Sequence, residues 1–152
     1  MIVVVGEALI DMIQDQNEPE KFTAVPGGAN ANVALALARR EFTHQFLGRI
    51  SNDLFGKQIR KHLADNGVSL ELSVTAQEQS TLAFAAIDDQ GVADYSFYVN
   101  DTADWMWKAE ELPTLDSMAE MDARAIQFGC LTMAMTPGNK VIETWLAEIF
   151  DS

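Results

Sequence analysis

The stretch Pro26-Gly27-Gly28-Ala29-Asn30-Ala31-Asn32-Val33-Ala34-Leu35-Ala36-Leu37-Ala38-Arg39-Arg40 decides how the fold is read. Two glycines close one pattern, and a run of Ala, Leu and Val without Gly or Pro opens another. The composition predicts a helix over 31–40, because small and straight-chain residues lose little freedom in one. Val33 and Leu37 mark a stripe with Ala34 and Ala38 beside it, small enough to let the helix lie close to a sheet. The turn ahead of it carries chemistry of its own. Glycines let a ligand approach the backbone, and Asn32 offers a donor and an acceptor together, a pairing suited to a polyol. Taken alone, the turn also reads as nothing more than a helix start.

Upstream, Ile2 to Val5 is a β-branched apolar run, the pattern of a strand covered on both faces. Leu9 to Ile13 continues it but admits Asp11. The polar turn Asn17-Glu18-Pro19-Glu20 leads to a short returning strand over Phe22 to Val25. Downstream, Phe46 to Ile50 reads as a second buried strand. Asp53 can cap a helix whose Phe55, Ile59 and Leu63 recur every four residues, and Asn66-Gly67 stops it. Val68, Leu70, Leu72 and Val74 alternate with polar residues, the signature of a strand with one wet face. Thr81 to Ile87 and Asp94 to Val99 are strands joined by the loop Asp88-Asp89-Gln90-Gly91. Lys108 to Pro113 is a polar connection, and Ala125 to Gly129 is a third buried strand. Thr136 and Pro137 fit the cap and first position of a last helix carrying Val141, Trp145 and Ile149. Alternating β and α elements build a parallel sheet, so the class is α/β. The apolar stripe of that last helix runs to Phe150 and no returning strand follows, so we expect the front part of a larger α/β fold.

Composition narrows the function. The 152 residues are 48% hydrophobic, enough for one domain with a core and too apolar for intrinsic disorder. No apolar run nears the roughly 20 residues of a membrane span. The single cysteine, Cys130, excludes an intramolecular disulfide and a four-thiolate zinc site, and beside an apolar strand it reads as a packing residue. Ten basic residues against 23 acidic ones give a net charge of −13, which argues against nucleic acid as partner. His44 and His62 have no ligand at metal spacing, so no metal site is expected. Trp105 and Trp107 read as core packing. The short apolar N-terminal run lacks a basic leader and soon meets Glu7 and Asp11, so we read a cytoplasmic protein with no membrane partner. Gly27-Gly28 does not extend to a dinucleotide fingerprint, and Gly56-Lys57 lacks P-loop spacing. Asp11 closes a strand region, where ligands of open α/β sheets bind, and a carboxylate there can accept two hydrogen bonds from neighbouring sugar hydroxyls. A phospho-accepting signalling role for Asp11 would leave Gly27 to Asn32 and the hairpin strands unexplained.

Five segments in order resemble the N-terminal half of the ribokinase-like (PfkB) carbohydrate kinases, nearest to their fructokinase branch. They are Gly6-Glu7-Ala8-Leu9-Ile10-Asp11, Pro26 to Ala34, Gly48-Arg49-Ile50-Ser51-Asn52-Asp53-Leu54-Phe55-Gly56, Ala103-Asp104 and Phe128-Gly129. The resemblance implies a three-layer α/β sandwich with a small β-sheet lid, its strands roughly at 12–26 and 81–100. It implies transfer of the γ-phosphoryl group of ATP, with Mg2+, to a sugar hydroxyl. It implies that Asp11, Gly28 and Asn32 hold the sugar, with Gly27 shaping the same turn, and that the lid strands support a homodimer. The family's second signature, Asp-Thr-x-Gly-Ala-Gly-Asp, which supplies the catalytic base and anion hole, does not occur in this sequence. We therefore expect residues 1–152 to be the sugar-binding portion, with no catalytic residue, no tight ATP or Mg2+ site and an absent C-terminal nucleotide-binding half that could associate with it. The rival expectation is a non-catalytic sugar- or partner-binding module derived from such a kinase. Members of the family often have Gly where Glu41 stands and where Ser51 stands, and fructokinases often have Arg near Val99.

Overall fold

The computed structural model describes residues 1–88 and 90–151; Asp89, within the loop read at 88–91, and Ser152 lie outside the described residues. In chain order the elements are β1 (Ile2–Val5), β2 (Leu9–Gln14), β3 (Phe22–Gly27), α1 (Ala29–Arg39), β4 (His44–Leu47), β5 (Arg49–Ser51), α2 (Leu54–Asp65), β6 (Val74–Ala76), β7 (Leu82–Ile87), β8 (Ala93–Tyr98), α3 (Leu115–Glu120), β9 (Ala125–Gln127) and α4 (Gly138–Phe150). Short 3-10 turns occupy Ala103–Trp105, Ala109–Glu111 and Cys130–Met133.

The central sheet is parallel, in the order β4-β1-β9. β1 and β4 are buried on both faces, and the period of two sends successive side chains to different layers. The buried strand read over Ala125 to Gly129 is corrected: β9 stops at Gln127 and, as the end strand of this sheet, leaves Ala125 exposed and Ile126 and Gln127 half-buried. Val4 and Phe46 pack with Ala31, Ala34, Ile59 and Leu63 of α1 and α2. Val3, Val5 and Leu47 pack with Met118 of α3 and with Ile142, Trp145 and Leu146 of α4. The result is the three-layer α/β arrangement, helices on each side of one sheet. Trp105 and Trp107 are buried, as read from the sequence. Among the described residues, no helix is long and apolar enough to cross a membrane.

A second sheet, order β3-β2-β7-β8, projects from the first. β2 and β3 form an antiparallel hairpin, β7 runs parallel to β2, and β8 returns antiparallel to β7. The register places Val25, Asp11, Ala83 and Phe97 in one row on one face, and Thr23, Ile13, Ala85 and Tyr95 in the next row on that face.

Three further readings are corrected, and one element was not read at all. The strand expected over Phe46 to Ile50 breaks at Gly48: β4 pairs with β1, whereas β5 pairs with β6 in a separate two-stranded sheet. Val68 to Ser73 is not a strand. The Val68 amide donates to the Leu63 carbonyl (3.0 Å) to close α2, and Ser73 turns back onto the Leu70 carbonyl (3.0 Å). The apolar residues alternate there because the segment rounds a corner, with Val68 and Leu70 in one core and Leu72 and Val74 in the other. Thr136 does not cap α4; that helix starts after Pro137, and Met135 O accepts from Asn139 N (3.0 Å). Finally, α3 has no counterpart in the sequence reading. Its cap is Thr114, which accepts from the Ser117 amide. At the end of α1, Glu41 adopts φ 58°, the left-handed geometry that suits glycine and costs another residue about 1 kcal/mol.

Candidate functional site

The site begins where β1 hands over to β2. Glu7 interrupts an apolar run, yet its side chain is only 1% exposed. A buried carboxylate needs donors, and Glu7 has four. Oε1 accepts from the Ala29 amide (3.1 Å). Oε2 accepts from Asn30 Nδ2 (2.8 Å), from the Thr132 amide (3.2 Å) and from the Thr132 hydroxyl. The Glu7 carbonyl accepts from Ala31 N (3.2 Å). Helix α1 has no side-chain cap of its own at Gly28. Its first amides are met instead by Glu7 from the neighbouring segment, and the negative charge suits the positive end of the helix.

The diglycine turn follows from that closeness. Gly28 has φ 109° and ψ 132°, and a Cβ there would sit 2.7 Å from Glu7 O. A Cβ on Gly27 would overlap Asp11 Oδ2. Only two glycines in succession let the start of α1 pass beneath Asp11 and against the β1–β2 junction.

Asp11 stands half-buried on β2, above Gly27. Burial pushes its carboxyl above the usual range, and among the described residues no side-chain hydrogen bond relieves it. Asn32, one turn into α1, is exposed, and its side-chain amide is likewise without a partner among the described residues. Asp11, Gly28 and Asn32 line one cleft of about 410 Å3, at the lower end of ligand-sized volumes. Gly27 lies directly below it. The four residues singled out in the sequence therefore come together.

The sequence reading missed the rest of the lining. Glu7 and Leu9 form the floor, Ala83, Tyr95 and Phe97 of the second sheet one wall, and Cys130 and Leu131 the opposite lip. Cys130 is exposed at this lip, so the expectation that it packs against the strand is corrected: with φ 55° just past Gly129 it turns out of the sheet. Glu7 could have been found, since a charge inside an apolar run must be paired or functional. Two other clefts, one of about 350 Å3 beside Trp145 and one of about 550 Å3 beside Leu72, gather no convergent unpartnered polar set.

Beneath the floor lies a second acid. Asp104 is 2% exposed, and its Oδ1 accepts from Ala8 N (2.9 Å), fixing the backbone between Glu7 and Leu9. Burial raises its pKa to about 7, with hydrogen bonds from Thr81 and the Ala8 amide opposing and the Glu7 charge adding to the rise. Behind it, the buried Arg49 donates to the Ala103 carbonyl (2.9 Å) and makes a two-pronged contact with Glu111 (2.9 and 3.1 Å). Asp53 caps α2 through Gly56 N (2.8 Å) and also accepts from Ser80 N (2.8 Å) and Ser80 Oγ (2.7 Å), tying α2 to the approach of β7. Those bonds hold its carboxyl below the usual range, although burial acts the other way.

The cleft can take a neutral polyol. It offers a carboxylate and a carboxamide for hydroxyls and carries no Lys or Arg in its lining. A triphosphate does not fit that lining, whose two charged residues are both acids, and among the described residues no three His, Cys, Asp or Glu gather where a metal ion could sit.

Comparison with known proteins identifies the family. A family model described as pfkB family carbohydrate kinase matches residues 1–136. A fructokinase of Rhizobium leguminosarum bv. trifolii is 33% identical over 148 residues, 96% of this chain and 44% of the relative. Probable fructokinase-4 of Arabidopsis thaliana is 32% identical over 143 residues, 90% of this chain and 43% of the relative. The crystal structure of a Xylella fastidiosa fructokinase with bound ATP superposes with a TM-score of 0.87 at 31% identity, over 99% of this chain and 45% of that one. The chain thus spans less than half the length of these relatives.

Proposed function

Because the chain belongs to the pfkB family of carbohydrate kinases, we propose that it is the sugar-binding portion of a fructokinase-like enzyme. Neighbouring hydroxyls of the sugar donate to the Asp11 carboxylate, and the Asn32 amide accepts from or donates to a third. Gly27 and Gly28 bring the backbone close enough for both. The four-stranded sheet closes over the sugar as a lid, excluding water that would compete as phosphoryl acceptor. In the complete kinase, the sugar hydroxyl oxygen bonds to the γ-phosphorus of ATP while the bond to the β,γ-bridging oxygen breaks and ADP departs. The base that removes the hydroxyl proton, the ATP site and the Mg2+ site belong to the part that the longer relatives possess. In this reading residues 1–152 bind sugar without turning over ATP, in the cytoplasm. The apolar lid face that carries Ile13, Val25, Tyr95 and Phe97, all exposed, suits pairing with the lid of a second copy.

The observation that carries this reading is the convergence of Asp11 and Asn32, both without a partner among the described residues, on one cleft built by the diglycine turn. Calorimetric titration with fructose tests it. The chain binds fructose, and Asp11→Asn weakens binding about tenfold or more, the value of a charged hydrogen bond, while the melting temperature holds or rises because a desolvated charge has been removed. Sugar affinity unchanged by Asp11→Asn refutes the assignment. Robust fructose-dependent ATP turnover by the 152-residue chain refutes the division of labour.

A further inference from the structure

Two walls of the cleft come from segments about a hundred residues apart. One is the turn Gly28–Ala29 at the head of α1, and the other is Cys130–Leu131, just past β9. Among the described residues no strand pairing joins them, since β9 pairs with β1 alone. The bonds that join them run chiefly through one side chain. Glu7 Oε1 receives the Ala29 amide, and Glu7 Oε2 receives Thr132 through both its amide and its hydroxyl. Asn30 reinforces the link: its Nδ2 donates to Glu7 and also to the Gly129 carbonyl (3.2 Å), and its Oδ1 accepts from Gln127 Nε2 (3.1 Å).

We propose that Glu7 is a positioning residue, a buried clamp that sets the width of the sugar cleft by fastening the 129–132 segment to the diglycine turn. The inference rests on the sugar-binding reading above and deepens it. An ionised carboxylate is acceptor-only, so it can take all four donors at once. Its amide analogue would turn a donor toward one of them, and a group left unpaired in a buried site costs more than the bond it replaces. Glu7 touches no sugar hydroxyl in this scheme, because its oxygens are consumed by the protein. Its effect reaches the sugar through where Cys130 and Leu131 stand relative to Gly28. Thr132 is buried and, among the described residues, its hydroxyl serves no partner but Glu7, so it is the handle by which the clamp can be loosened without touching Asp11 or Asn32.

The test uses Thr132→Val and Thr132→Ser, each with two readouts. In the first, fructose affinity is measured by calorimetry. In the second, on separate samples, a nitroxide on Cys130, the chain's single cysteine, reports the mobility of the lip by its spectral line width. Thermal melting checks that each variant is folded; should Thr132→Val fail to melt cooperatively, Thr132→Ala takes its place. Thr132→Val mobilises the nitroxide and weakens fructose binding about fivefold to tenfold, a part of the value of one bond to a charged group. Thr132→Ser keeps the hydroxyl and restores both. A nitroxide spectrum unchanged by loss of the hydroxyl overturns the clamp. A mobile lip with unchanged fructose affinity overturns its control of the cleft. A wild-type chain that binds no fructose defeats the sugar-binding reading and the functional half of this one with it, and the nitroxide readout then still shows separately whether Glu7 holds the lip.

Discussion

Gly28→Ala tests the geometry on which the site is built. Two costs can be worked from the structure. The first is backbone strain: at φ 109° and ψ 132° an alanine occupies a region nearly reserved for glycine, about 1–3 kcal/mol. The second is collision. The new Cβ would lie 2.7 Å from Glu7 O and 3.1 Å from Ala8 Cα. Both are backbone atoms, and the Ala8 amide is pinned in turn by Asp104, so they cannot swing aside like a side chain. Forcing them apart costs about 1–3 kcal/mol more, as overpacking does. Together the loss is about 2–6 kcal/mol, which in a domain of this size lowers the melting temperature by about 5–20 °C. Gly91→Ala is the control. Gly91 also has positive φ, 79°, but no atom of the described residues lies within 4 Å of its Cβ position, so only the conformational cost of about 1 kcal/mol applies. Thermal denaturation of the two variants side by side separates strain from collision. If Gly28→Ala melts within 2 °C or so of Gly91→Ala, the close approach of α1 to the β1–β2 junction is wrong, and the site built on it fails.

Asp104 makes stability depend on pH in a direction opposite to an ordinary salt bridge. Its folded pKa is raised to about 7, above the roughly 3.9 of an unfolded chain, so the folded state holds the extra proton between those values. That stabilisation is complete below about pH 4 and is lost as pH rises through 7, on the order of 4 kcal/mol in all. Urea titrations from pH 4 to 8 show a declining limb that Asp104→Asn flattens; an equal slope in both proteins contradicts the assignment. Arg49→Lys keeps the charge but loses the two-pronged contact with Glu111 and the bond to the Ala103 carbonyl. It destabilises by about 2–4 kcal/mol in urea unfolding, and a loss below 1 kcal/mol shows that a single ammonium suffices there.

What the sequence disclosed follows from the range of the forces involved. Period and composition act over a few residues, so β1, α1 and α2 were legible: Val3 to Val5 alternate between two cores, and Asp53 and Asn66-Gly67 bound α2 by local caps. The grouping of Asp11, Gly27, Gly28 and Asn32 around one cleft was legible for a different reason, since their order in the chain matches a family pattern. Local signals failed where two cores meet. Val68, Leu70, Leu72 and Val74 alternate in apolarity as a strand does, but the alternation records a change of core at a corner. The clamp lay furthest out of reach. Glu7 and Thr132 are 125 residues apart, and no periodicity links them. The only trace was a carboxylate placed where the pattern asked for an apolar residue, a placement that costs several kcal/mol unless donors converge on it. Such a residue does not say which donors it meets, but it does say that distant segments must come to it. In this chain the segments that come to it are the two walls of the cleft, and the polar residue least compatible with the strand pattern is the one around which the cleft is assembled.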